Sequence, residues 1–170
     1  TFSTAIGYDA QTELVVENVN FTGTTAINGT FATDGPLKIA ISDCTMDVTN
    51  LGIAVSANST EAIATINNCN IDADVYAIFA SQGSKITING GTYILDAAGT
   101  RVNGFPWTFN AVGNSTNSII VNAGTFNLDI NHQHYAHEVY VPANRAVKNN
   151  GDGTWTVVDA VAYCVEDGRK

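Results

Sequence analysis

The side chains with chemical potential fall into three groups. His132, His134 and His137 are the only histidines in the chain and sit within six positions, beside Glu138. In a strand, His132 and His134 share a face, and imidazoles with a carboxylate suit zinc or another transition ion. The spacing matches no strong metal motif, and the same residues read equally as a polar surface loop, which is the favoured reading. Asp43, Asp47, Asp72 and Asp74 form the second group. Clustered carboxylates bind calcium or supply an acid and a base for glycan hydrolysis. Aspartates at chain corners are more often turn formers, however, and Lys38, Lys85, Arg101 and Arg145 show no convergence on the group. No catalytic residue and no cofactor is therefore assigned. The third group is Arg101, Phe105, Trp107 and Phe109, inside a Gly- and Asn-rich insertion from Asp96 to Asn117. Exposed aromatics are platforms for sugar rings or protein anchors, so these four are the expected ligand-binding residues, with an inward-facing Trp107 as the alternative.

Composition narrows the partners. Seven Lys plus Arg stand against 16 Asp plus Glu, a formal charge of −9 over 170 residues. So acidic a chain has no footprint for a phosphate backbone or an anionic membrane. Hydrophobic residues make up 45%, too many for a disordered segment, and they come in short alternating bursts, with no run approaching the ~18 residues that span a bilayer. No phosphate-binding loop or nucleophile elbow is present. The cysteines, Cys44, Cys69 and Cys164, are too few for a disulfide scaffold and lack zinc-site spacing. The Asn-x-Ser/Thr sequences at Asn20, Asn28, Asn58 and Asn114 matter only in a eukaryotic secretory setting.

The elements that would position these groups repeat. Segments beginning at Leu14, Ile39, Ala64, Ile86 and Ile119 share one pattern, and their starts are 25, 25, 22 and 33 residues apart. Each opens with two apolar residues two apart and passes a polar corner. The corners are Glu17-Asn18, Ser42-Asp43, Asn67-Asn68, Asn89-Gly90 and Asn122-Ala123, and each segment ends on a large apolar residue. Period-two alternation means strand, and Asn, Asp and Gly suit a bend that needs left-handed dihedrals. Further short strands are expected at 52–55, 77–80 and 106–109. Units of this length made of short strands are turns of a β-solenoid. A leucine-rich repeat would need a helical limb, and a β-sandwich gives no reason for recurrence at near-constant spacing.

The expected fold is therefore all-β, a right-handed parallel β-helix with a C-terminal β-hairpin cap. Three ladders follow: Leu14-Ile39-Ala64-Ile86-Ile119, Val16-Ile41-Ile66-Ile88-Val121 and Phe21-Met46-Ile71-Tyr93-Phe126. Cys44 and Cys69 fall on equivalent positions of neighbouring coils, where parallel side-chain vectors favour free buried thiols over a disulfide. Asn150-Gly151-Asp152-Gly153 between Val147 and Val158 is a hairpin signal. Residues 1–138 are expected to form the coils, 139–158 the closing strand and hairpin cap, and 159–170 a tail or linker to a further domain. The chain opens on Thr1-Phe2-Ser3, and Phe2 to Ile6 reads as the rest of an interrupted coil, so the intact protein is expected to be longer at both ends.

Ile86-Thr87-Ile88-Asn89-Gly90-Gly91-Thr92-Tyr93 and Ile119-Ile120-Val121-Asn122-Ala123-Gly124-Thr125-Phe126, with the close from Val139 through Val158, resemble the pectin-lyase-like β-helix modules of repetitive surface proteins from gut bacteria. The resemblance covers most of the chain, and its motifs are structural. It implies a secreted or cell-surface module of a larger bacterial protein, non-catalytic, acting in adhesion to a host or microbial glycan or surface protein. Similar coils occur in phage fibre proteins, so a structural spacer is the first alternative and a polysaccharide lyase or hydrolase the second. Ice binding would need a regular threonine ladder, which is missing.

Overall fold

The computed structural model describes residues 6–7, 13–32, 37–57, 62–81, 83–96, 108–112, 119–132 and 139–160. The described elements are strands, apart from one short 3₁₀ turn at Ile130–His132. They are β1 (Ile6–Gly7), β2 (Glu13–Glu17), β3 (Asn20–Ala32), β4 (Leu37–Ser42), β5 (Thr45–Ala57), β6 (Ala62–Asn67), β7 (Cys69–Ala73), β8 (Tyr76–Ser81), β9 (Ser84–Leu95), β10 (Phe109–Val112), β11 (Ile119–Phe126), β12 (Val139–Tyr140), β13 (Arg145–Asn149) and β14 (Trp155–Asp159). The chain is all-β, and among the described residues its strands pair in parallel except where the last hairpin is involved.

Pairing links each segment to the one about two dozen residues on. One set of strands runs β2-β4-β6-β9-β11, a second runs β3-β5-β7-β9-β11, and a third runs β1-β3-β5-β8-β10. All three expected ladders occur in register. Leu14 pairs Ile39, Ile39 pairs Ala64, Ala64 pairs Ile86, and Ile86 pairs Ile119. Val16-Ile41-Ile66-Ile88-Val121 and Phe21-Met46-Ile71-Tyr93-Phe126 continue in the same way. A further row, Ile6-Ile27-Ile53-Ile78-Phe109, belongs to the third set.

Alternation explains why these rows are buried. In β6, Ala62, Ala64 and Ile66 are buried while Ile63, Thr65 and Asn67 are half-exposed. The rows join in a single apolar core in which Ile41, Ile66 and Ile88 are fully shielded. No single layer buries its own apolar face; the layers above and below do.

The corners turn as their residue types require. Asn18, Asp43 and Asn68 take φ of 55°, 53° and 51°, the left-handed region that Asn and Asp tolerate. In the next layer this part of the chain is Gly90-Gly91, with φ of 120° and 103°, open only to glycine. A Cβ on Gly91 would also overlap the carbonyl oxygen of Cys69. Side chains lock the corners vertically. Asn89 Nδ2 donates to Asn67 Oδ1 at 2.9 Å and Asn122 Nδ2 to Asn89 Oδ1 at 2.8 Å. Beside them Asn68 Nδ2 donates to Asp43 Oδ1 at 2.8 Å.

The hairpin forms at the far end. β13 and β14 pair antiparallel, and Gly151 and Gly153 take φ of 81° and 89° in the connection. Gly151 N donates to Asn149 Oδ1 and Thr154 N to Asp152 Oδ1, so side chains of Asn149 and Asp152 shape the loop. β14 lies antiparallel on Gly124–Phe126, while β12 lies parallel on Ile119–Ile120. Together they cover both halves of the β11 edge, which unpaired would be a template for another chain.

Ile66 and Thr65 are adjacent on one strand but face opposite ways. Ile66→Ala is expected to cost ~2–5 kcal/mol through the cavity it leaves. Thr65→Ala is expected to cost less than about 1 kcal/mol. Urea unfolding midpoints of the two variants check this.

Candidate functional site

The second set of strands carries a surface groove. Outward positions on β5, β7 and β9 line a shallow groove of about 510 Å³. Register places Thr45, Asn70 and Thr92 in one row and Asp47, Asp72 and Ile94 in the next. Met46 and Ile71, between them in sequence, face the core, so backbone forms the floor at those points. Thr45, Asp47, Asn70 and Asp72 are exposed; Thr92 and Ile94 are half-buried. The groove thus offers one hydroxyl or amide group per layer, about 4.8 Å apart, with a carboxylate beside it in two layers and Ile94 in the third.

Its electrostatics are one-signed. Partial burial holds the Asp72 carboxyl above the usual carboxylate range, and the charges of Asp47, Asp96 and Asp74 push it further. Among the described residues, the charged groups that act on Asp72 are carboxylates. Among the described residues, neither Asp47 nor Asp72 has a hydrogen-bond or ion-pair partner. Asp43, grouped with these aspartates by sequence, lies apart at the corner, bonded to Asn68.

Of the expected ligand platform, Phe109 alone lies within the described residues, and it is a correction. It is 1% exposed and continues the buried row after Ile78. Its ring meets Phe126 edge-on at 5.6 Å and Tyr93 at 6.4 Å, while Tyr93 stacks on Phe126 at 5.1 Å. Phe109 is at an inward strand position, so its ring fills the core and presents nothing to a ligand. Arg101, Phe105 and Trp107 lie outside the described residues. Of the histidine group, His132 ends the 3₁₀ turn, whereas His134, His137 and Glu138 lie outside the described residues. Among the described residues, no group of three or more His, Cys, Asp or Glu side chains is placed to hold a metal ion.

Cys44 and Cys69 are free and buried. Cys44 Sγ donates to the Ser42 carbonyl at 3.2 Å and Cys69 Sγ to the Asn67 carbonyl at 3.5 Å. Burial pushes the Cys69 thiol up to about 11, and the charges of Cys44 and Asp43 add to this against an opposing backbone hydrogen bond. Such a thiol is a poor nucleophile. The Tyr93 hydroxyl, also raised by burial, donates to the Gly90 carbonyl at 3.1 Å.

The groove was only partly readable beforehand. Asp47 and Asp72 stood out as carboxylates, but the Thr45-Asn70-Thr92 row carried no compositional mark. Only the register of the large apolar ladder, which follows each of these residues, locates them. Comparison with protein-family descriptions, curated proteins and solved structures finds no match to this chain.

Two outcomes test this description. Asp72 is disfavoured in its charged form, so its ionisation costs stability as pH rises through and above the usual 3.8. Asp72→Asn should therefore stabilise the chain at pH 7, by less than about 1 kcal/mol because the group is exposed, and lose the effect under acid. Urea unfolding at both pH values checks it. For Cys69, the unfolded thiol ionises from pH 9.0 and the folded one only near 11, so its contribution is complete below 9.0 and lost towards 11. A thiol reagent at pH 8, applied to a Cys164→Ser background, should label Cys44 and Cys69 only after denaturant is added.

Proposed function

We propose that this chain is a non-catalytic, right-handed parallel β-helix module of an extracellular surface protein, and that it binds glycans through the groove on β5, β7 and β9. The β-helix reading is supported by the recurrence of registered apolar rows at steps of about two dozen residues. The binding reading rests on one observation. Thr45, Asn70 and Thr92 line an open groove in a single row, with Asp47 and Asp72 beside them. A polyhydroxylated chain needs many donors and acceptors on a surface that does not rearrange, and outward positions on stacked strands supply both.

A glycan microarray probed with the folded chain is expected to show binding. The triple variant Thr45→Ala, Asn70→Ala, Thr92→Ala should weaken it about ten-fold or more while leaving the thermal transition close to its original temperature. Incubation with the bound polysaccharide should release no new reducing ends and no unsaturated products. Release of either would overturn the non-catalytic reading.

A further inference from the structure

We propose that the outer edge of β2 is a docking site for an extended strand of a partner protein, apolar at its inward positions and basic at its outward ones. The two ends of the stack differ. At the last layer, β12 and β14 cover β11. At the first, β1 covers β3 only at Ile27 and Asn28, and among the described residues no strand pairs with the outer edge of β2. Parallel strands bond alternate residues to opposite neighbours. Asn18 N donates to the Ser42 carbonyl, so the same alternation bonds Leu14 and Val16 to β4. The backbone N–H and C=O groups of Glu13, Val15 and Glu17 therefore point to the uncovered side. An edge of this kind takes up an added strand through its backbone.

Side chains decide which strand fits. Val15 is 56% exposed and Val19 36%, both at this end of the stack. An added strand with apolar residues over Leu14 and Val16 continues the two buried rows that each later layer continues. Its outward residues meet Glu13, Val15 and Glu17, all exposed. Glu13 already has Lys38 as its register partner on the covered side, and opposite charges across a strand pair are stabilising. Lysine or arginine over Glu13 and Glu17 repeats that arrangement on the uncovered side. A second copy of this chain is the poorer occupant. Antiparallel self-pairing about Val15 sets Glu13 of each copy against Glu17 of the other, between chains of formal charge −9. The site lies on a different strand from the groove on β5, β7 and β9, so it stands or falls without the glycan reading.

Fluorescence anisotropy with the labelled, end-capped peptide Ser-Lys-Val-Thr-Val-Lys-Ser tests the site, because this pattern reads the same in either strand direction. It is expected to bind about ten-fold or more tighter than the same peptide with glutamate in place of both lysines. Val15→Pro removes an edge N–H and no bond to β4. It should weaken binding about ten-fold while leaving the thermal transition close to its original temperature. The double variant Glu13→Gln, Glu17→Gln should erase the preference for lysine over glutamate, and it decides the matter even where Val15→Pro does not fold. It should still bind the alternating peptide better than the isomer Ser-Lys-Lys-Thr-Val-Val-Ser. Equal binding of the lysine and glutamate peptides, a folded Val15→Pro that binds as before, or no binding by any peptide overturns the proposal. Sedimentation showing that the chain alone forms dimers, which Val15→Pro dissociates, overturns it too and makes a second copy the occupant.

Discussion

The structure depends on vertical burial. Each layer presents an apolar row that it cannot shield, and the next layer, two dozen residues on, shields it. Ile41, Ile66 and Ile88 are fully buried because each has a registered neighbour above and below. At the first layer the cover is thinner. Val16 and Phe21 keep 5% and 7% of their surface, and Val15 and Val19 are the large hydrophobics left exposed among the described residues. Because a one-residue slip would turn every row outward, the core also fixes the register. The asparagine contacts from Asn67 to Asn122 and the left-handed residues at 18, 43 and 68 are consistent with that register and reinforce it.

The same constraint produces the outer surface. Inward rows in register force outward rows into register, so Thr45, Asn70 and Thr92 line up because Met46, Ile71 and Tyr93 do. An outer face of this kind needs no dedicated loop to arrange it. It carries an electrostatic cost: Asp47 and Asp72 are held side by side by pairing energy that neither carboxylate supplies.

Much of the fold was legible because its determinants are periodic. The apolar pairs, the corners and the Asn150-Gly151-Asp152-Gly153 connection each announce themselves by residue type at fixed spacing. The third row was less clear, since Ile27 lies inside a long strand with no corner before it and Phe109 follows a Gly-rich insertion. There sequence misled: an aromatic near a loop looks the same whether it faces solvent or core, and Phe109 faces the core with Tyr93 and Phe126. The groove was legible only in its carboxylates. Its residues come from three layers, and an exposed threonine carries no signal of its own until the register around it is known.

Methyl-selective NMR on the folded chain measures the central claim directly. Nuclear Overhauser contacts are expected between the side chains of Ile41 and Ile66 and between those of Ile66 and Ile88, in line with their pairing. Contacts displaced by one residue, or no contact between these isoleucines, would contradict the layered register, and the groove and its proposed ligand would fall with it.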